Sequence, residues 1–214
     1  MNELLQQQIK DIKQSFRLMM DGNTAQSMRD KGLGYKLNWG VSIPMLKEEA
    51  KEIASNQQQN ADNLYELAIE LWKTNVRECK ILATMLMPAE KMLPEVADIW
   101  MEQTMSQEIA EQAAFNLYQH LPYAPEKAYQ WMASDKELYQ LCGFHVLTRL
   151  FMNKQEPNER GINEFVDQAL VALQSPSIIV KKAAMQCMIR FAELGLVYER
   201  MAKSALKKIN LELF

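Results

Sequence analysis

The sequence predicts an all-α chain, a stack of antiparallel helix pairs, and three observations support that. Glycine and proline are scarce, seven of each in 214 residues, and they fall between helical patterns, where they act as punctuation. Val, Ile and Thr rarely alternate with polar residues, so no half-buried strand is expected. Apolar residues instead recur at three- and four-residue spacing, which gathers them on one face of a helix.

The first boundaries follow from capping residues. Asn23 or Thr24 opens a short helix expected to end at Gly32. Pro44 follows Ser42 at the first turn of the next helix, where its missing N–H leaves no bond unmade. Asn60 begins a third, with Leu64, Leu67, Ala68 and Leu71 on one face and Asp62, Glu66 and Glu70 on the other. A break at Lys73 to Asn75 then leads into the helical run Val76-Arg-Glu-Cys-Lys-Ile-Leu-Ala83.

The same arrangement, helix, short polar turn, helix, recurs later in the chain. Trp131-Met-Ala-Ser-Asp-Lys-Glu-Leu138 leads into a helix through Leu150, and Leu173-Gln-Ser-Pro-Ser-Ile-Ile-Val180 leads into Lys-Lys-Ala-Ala-Met-Gln-Cys. Leu138 and Val180 are 42 residues apart, within the period of HEAT and armadillo repeats. The wider interval from Val76 to Leu138 holds one helix near 91–103 and another near 106–120. One such pair cannot bury its apolar stripe alone. Stacked pairs make a continuous core and a concave surface, so residues 1–214 are expected to form a single α-solenoid domain of HEAT-like or armadillo type whose groove carries the function.

Composition narrows the function. With 48% hydrophobic and 24% charged residues and a mean hydropathy of −0.28, the chain is globular. Neither a basic leader with an apolar stretch nor an eighteen-residue apolar window occurs, so no membrane association is expected. Three widely spaced cysteines, Cys79, Cys142 and Cys187, suit a reducing compartment, and a cytoplasmic location is expected. Each lies in an apolar helical pattern, as a small buried hydrophobe does. The net charge of −3 argues against coating nucleic acid by bulk electrostatics. The charge is uneven, however: from Lys181 onward seven basic residues face three acidic ones.

Standard chemistries find little support. His120 and His145 lack a Cys, His or carboxylate at ligand spacing, so no metal site is expected. Nucleophile elbow, Walker loop and dinucleotide glycine fingerprint are all missing, and no cofactor is implied. Fifteen methionines could line an adaptable groove or fill the core. Glu108 and Glu111, three residues apart, could be paired carboxylates or a solvated face.

The ordered set Gly40-Val-Ser-Ile-Pro-Met-Leu-Lys47, Leu71-Trp-Lys73, Val76-Arg-Glu78, Ser106-Gln-Glu-Ile-Ala-Glu111, Trp131-Met-Ala-Ser-Asp135 and Val180-Lys-Lys-Ala-Ala184 resembles the HEAT-like DNA alkylation repair glycosylases, over about residue 15 to the C-terminus. The resemblance implies a groove that holds double-stranded DNA by its backbone. It also implies a cluster of two tryptophans, an aspartate and an arginine that handles the cationic alkylated purine. Aromatic faces hold such a base, and a carboxylate stabilises oxocarbenium character as the glycosidic bond breaks. Aligned on the family, the tryptophan positions fall on Gln107 and Gln186, the aspartate on Glu111 and the arginine on Leu141. Three functions follow as expectations. One is a non-catalytic module that binds DNA or another partner in its groove. Another is an active glycosylase with Glu111 as the key carboxylate, and the third is a protein-interaction scaffold. For DNA, Arg77, Lys80, Arg149, Lys181, Lys182 and Arg190 are the candidate phosphate contacts, all in second helices of pairs.

Overall fold

The computed structural model describes residues 3–31, 33–56 and 60–212. These residues form twelve α-helices and two short 3-10 turns, and the one piece of strand-like pairing among them is an isolated bridge between Leu37 and Val76. The absence of alternating sequence is matched by the absence of a sheet among the described residues. Internal contacts divide the chain into two compact units, Met1–Val96 and Ala97–Phe214.

The first unit contains α1 (Glu3–Leu18), α2 (Gly22–Asp30), α3 (Ile43–Ser55), α4 (Ala61–Lys73) and α5 (Arg77–Leu86). The start expected at Asn23 or Thr24 moves back to Asp21, whose carboxylate accepts from the N–H groups of both residues at 3.0 and 3.1 Å. The Gly32 end expected for this helix lies outside the described residues. Ser42 with Pro44 and Asn60 open α3 and α4 as their sequences predict, and the Asn60 side chain accepts from the N–H of Asn63 at 2.9 Å. Both α3 and α4 pack on α5, and α1 packs on α4.

Neighbours on several sides bury nearly all of α5, its charged residues included. Arg77 is 2% exposed and Glu78 is fully buried. Glu78 Oε1 accepts from the N–H groups of Trp39, Gly40 and Val41 at 3.1, 2.9 and 3.3 Å. Arg77 Nη1 donates to the Val41 carbonyl at 2.8 Å and meets Glu78 Oε1 at 3.1 Å. Gly40 is needed there, because its φ is +73° and a Cβ would lie 2.4 Å from the Asp21 carbonyl oxygen. This knot clamps residues 38–41 to the start of α5.

The second unit contains α6 (Pro94–Glu102), whose first residues precede the boundary, and α7 (Gln107–Asn116), α8 (Ala124–Met132), α9 (Glu137–Met152), α10 (Glu159–Leu173), α11 (Ile178–Ala192) and α12 (Leu196–Lys207). The helices expected near 91–103 and 106–120 are α6 and α7, each shortened by an adjoining 3-10 turn, Ala89–Lys91 before α6 and Tyr118–His120 after α7. Helix α9 packs against α7 on one side and α11 on the other, while α8, α10 and α12 pair with their partners from behind. Helices α8 and α9 pack closely at Gly143, where a Cβ would be 2.6 Å from the Ala128 carbonyl oxygen. Trp100 and Trp131 are core residues, 2% and 1% exposed, and the Trp131 indole donates to Asp98 at 3.4 Å. All three cysteines are buried. Burial pushes the Cys79 thiol up to about 11 and raises those of Cys142 and Cys187 further.

Candidate functional site

The residues aligned with the glycosylase pocket meet, in part, where α7 faces α9. Ser106 caps α7 by accepting from the N–H of Ile109, and the helix then presents Gln107, Glu111 and Phe115 at four-residue steps. Gln107 Nε2 donates to Glu111 Oε1 at 2.7 Å. From α9, His145 Nε2 stands 3.7 Å from the same oxygen. The His145 imidazole holds the Glu111 carboxyl below the ordinary carboxylate range, with the Gln107 amide helping and partial burial opposing. Glu111 is therefore an ionised carboxylate at neutral pH.

Around this pair the aromatic surface is already occupied. The Phe115 and His145 rings meet edge to face with centroids 5.1 Å apart. The Arg149 guanidinium lies over Phe115, its carbon 4.9 Å from the ring centroid. Arg149 Nη1 is 3.9 Å from the Met152 sulfur, and its Nε is buried with no hydrogen-bond partner among the described residues. Phe115, the nearest aromatic ring to Glu111 on α7, thus serves a cation of this chain.

Leu141, aligned with the family's arginine, is 1% exposed and belongs to the core. The α9 residue that faces Glu111 is His145, one helical turn later, and Arg149 follows a further turn on, so a cation is present on this side of α9 after all. Neither His145 nor Phe115 was a candidate from sequence. Thirty-four residues separate Glu111 from His145, and the pair exists only because α7 and α9 pack together.

The other candidates are dispersed. Gln186 is exposed on α11, and no hydrogen bond or ion pair joins it to the Glu111 cluster among the described residues. Lys181 is partly exposed and Lys182 exposed in the first turns of α11, whose N-terminus is capped by Ser177. Arg190 forms a surface ion pair with Glu193 at 2.6 Å. Arg77 and Lys80 lie in the first unit and do not offer themselves to a phosphate. Arg77 is held in the Glu78 knot, and Lys80, 6% exposed, sits with Nζ 4.0 Å from the centroid of the Trp72 ring. Desolvation pushes the Lys80 ammonium down to about 8. Among the described residues no group of three or more His, Cys, Asp or Glu converges as a metal site would require, and no helix is long and apolar enough to cross a membrane.

The family model described as DNA alkylation repair enzyme matches residues 12–193. The chain belongs to that family. This DNA alkylation repair family match takes in α7, α9 and α11, with every aligned pocket position, and stops before α12. A solved structure is similar over 94% of this chain and 82% of its own, with a TM-score of 0.78 and 19% identity. It is described as belonging to a new family of proteins related to the HEAT-like repeat DNA glycosylases, with affinity for branched DNA structures. That likeness shows the HEAT-like helical fold. No curated protein matches the sequence.

Proposed function

We propose that this member of the DNA alkylation repair family binds DNA without excising alkylated bases. The observation that carries the reading is the cover on Phe115. A cationic base needs free electron-rich faces, yet the ring nearest Glu111 is stacked on by Arg149 and edged by His145, and glutamines stand at both tryptophan positions. Glutamine amides supply no equivalent π face. The glutamate also carries its carboxylate one methylene farther than an aspartate would, which disturbs a preorganised electrostatic site.

Binding draws on cations outside that cluster. Lys181 and Lys182, in the first turns of α11, have no ion-pair partner among the described residues and favour a phosphate. Arg149, partly exposed beside Phe115, is a further candidate. The affinity of the structurally similar protein for branched DNA makes a branched duplex the substrate to compare with a linear one. Wild type is expected to bind both, with affinity falling as salt rises. The double reversal Lys181→Glu, Lys182→Glu is expected to weaken binding and flatten its salt dependence by about two in log–log slope. Unchanged binding would remove both lysines from the interface, and no binding by wild type would overturn the reading.

A second reading rests on one observation, the ionised Glu111 carboxylate beside His145. A lesion whose glycosidic bond is already labile needs only such a carboxylate to stabilise the departing cation. Under that reading Glu111→Gln abolishes release of methylated purine while leaving the fold intact.

A further inference from the structure

Helix α1 contributes a feature that none of the candidate positions includes. Lys10, Lys13 and Arg17 are spaced three and four residues apart, so they share one face of the helix. Together with Leu18, Leu37 and Trp39 they line an open cavity of about 750 Å³ in the first unit. No carboxylate lines it. Asp11, the nearest acid in sequence, is turned to the Gln7 amide at 2.8 Å, and Asp21 is occupied as the cap of α2. Among the described residues none of the three cations has an ion-pair partner. A cavity carrying three positive charges in a chain of net charge −3 is a local reversal of sign, and walls of one sign focus the field on an incoming anion.

The opposite wall is fixed. Leu37 accepts the N–H of Arg77 through its carbonyl at 3.2 Å, Trp39 donates its N–H to Glu78, and the Trp39 carbonyl accepts from Asp21 at 3.0 Å. The Glu78 knot therefore holds Leu37 and Trp39 in place before any ligand arrives, and the Phe16 ring supports Trp39 with centroids 6.0 Å apart. Lys10 to Arg17 spans roughly 10 Å along the helix axis, the length over which one strand of a duplex presents about three phosphates. The charges are spread in a row and do not converge on a point. That spacing suits consecutive backbone phosphates better than a single inorganic anion.

We infer that Lys10, Lys13 and Arg17, backed by Leu37 and Trp39, form a second contact for the phosphate backbone of DNA, in the first unit and separate from the α7, α9 and α11 positions. The inference rests on the DNA-binding reading above. Affinity for linear and branched duplex is measured across about 50 to 200 mM salt for wild type, for Lys10→Gln, Lys13→Gln, Arg17→Gln, and for a control of equal charge, Lys47→Gln, Lys51→Gln, Lys73→Gln, whose lysines lie exposed elsewhere in the same unit. All three cavity residues reach solvent at the cavity wall, and matched thermal melting confirms that the fold is kept. The cavity variant is expected to lose about 2.7 from the log–log slope, equivalent to roughly 40-fold less salt sensitivity over that range, while the control keeps the wild-type slope. Equal slopes for wild type and cavity variant, with wild type binding, would overturn this contact and leave the α11 reading standing. Equal losses in both variants would overturn it in favour of bulk charge. Failure of wild type to bind would overturn both readings together.

Discussion

His145 Nε2 lies 3.7 Å from Glu111 Oε1, and that relationship holds the Glu111 carboxyl below the ordinary carboxylate range. The sign of its pH effect follows from linkage. Glu111 has a lowered value in the folded chain, so its contribution to stability is complete above the unfolded carboxylate value and is lost as pH falls through the folded one. His145→Ala removes the first cause of the shift. The variant is expected to show a Glu111 carboxyl titrating closer to the ordinary range by NMR, and a shallower loss of stability below about pH 5 than wild type.

Arg77 is expected to behave as a structural residue. Its guanidinium is the charge partner of the fully buried Glu78 and also holds the Val41 carbonyl. Arg77→Ala leaves a buried carboxylate uncompensated, a change that costs about 3 kcal/mol or more. Denaturant unfolding should show that loss. DNA affinity of the variant that remains folded should match wild type, which separates a role in the core from a role at a phosphate.

Lys80 gives a pH effect of the same sign as Glu111, in an alkaline window. Its ammonium is lowered from the ordinary lysine range to about 8 by desolvation, so between that value and its unfolded one the unfolded chain binds the extra proton. Stability contributed by this group therefore rises as pH increases from 8 toward 10. Lys80→Met should abolish that rise relative to wild type in thermal melts across the range, after the common titration of exposed lysines is subtracted.

Much of the fold was legible because its signals are local. Pro44 after Ser42 marks a helix start by its fixed backbone, Asn60 marks one by a hydrogen bond made within one turn, and Leu67, Ala68 and Leu71 mark a buried face by spacing alone. The start of α2 was displaced by two residues because Asn23 and Thr24 are cap-forming types that here receive no role as acceptors, Asp21 having taken it. Arg77 and Lys80 read as surface charges for a reason that is also physical. Periodicity identifies faces on a helix with one solvent side, and α5 has almost none. The segments Gly40 to Lys47 and Val76 to Glu78, which carried part of the family resemblance, meet in the Glu78 knot of this chain. The α7–α9 cluster was half visible. Gln107 and Glu111 sit four residues apart on one helix, whereas His145 and Arg149 reach them only through packing of distant helices, and no spacing rule encodes that.

Release of methylated purines from alkylated duplex DNA, at protein concentrations that saturate binding, decides whether the Glu111 cluster excises bases, with wild type, Glu111→Gln and a no-protein control side by side. Folded, DNA-bound wild type is expected to release no more than the control. Release above the control that disappears in Glu111→Gln would contradict that expectation and make the carboxylate beside His145 catalytic.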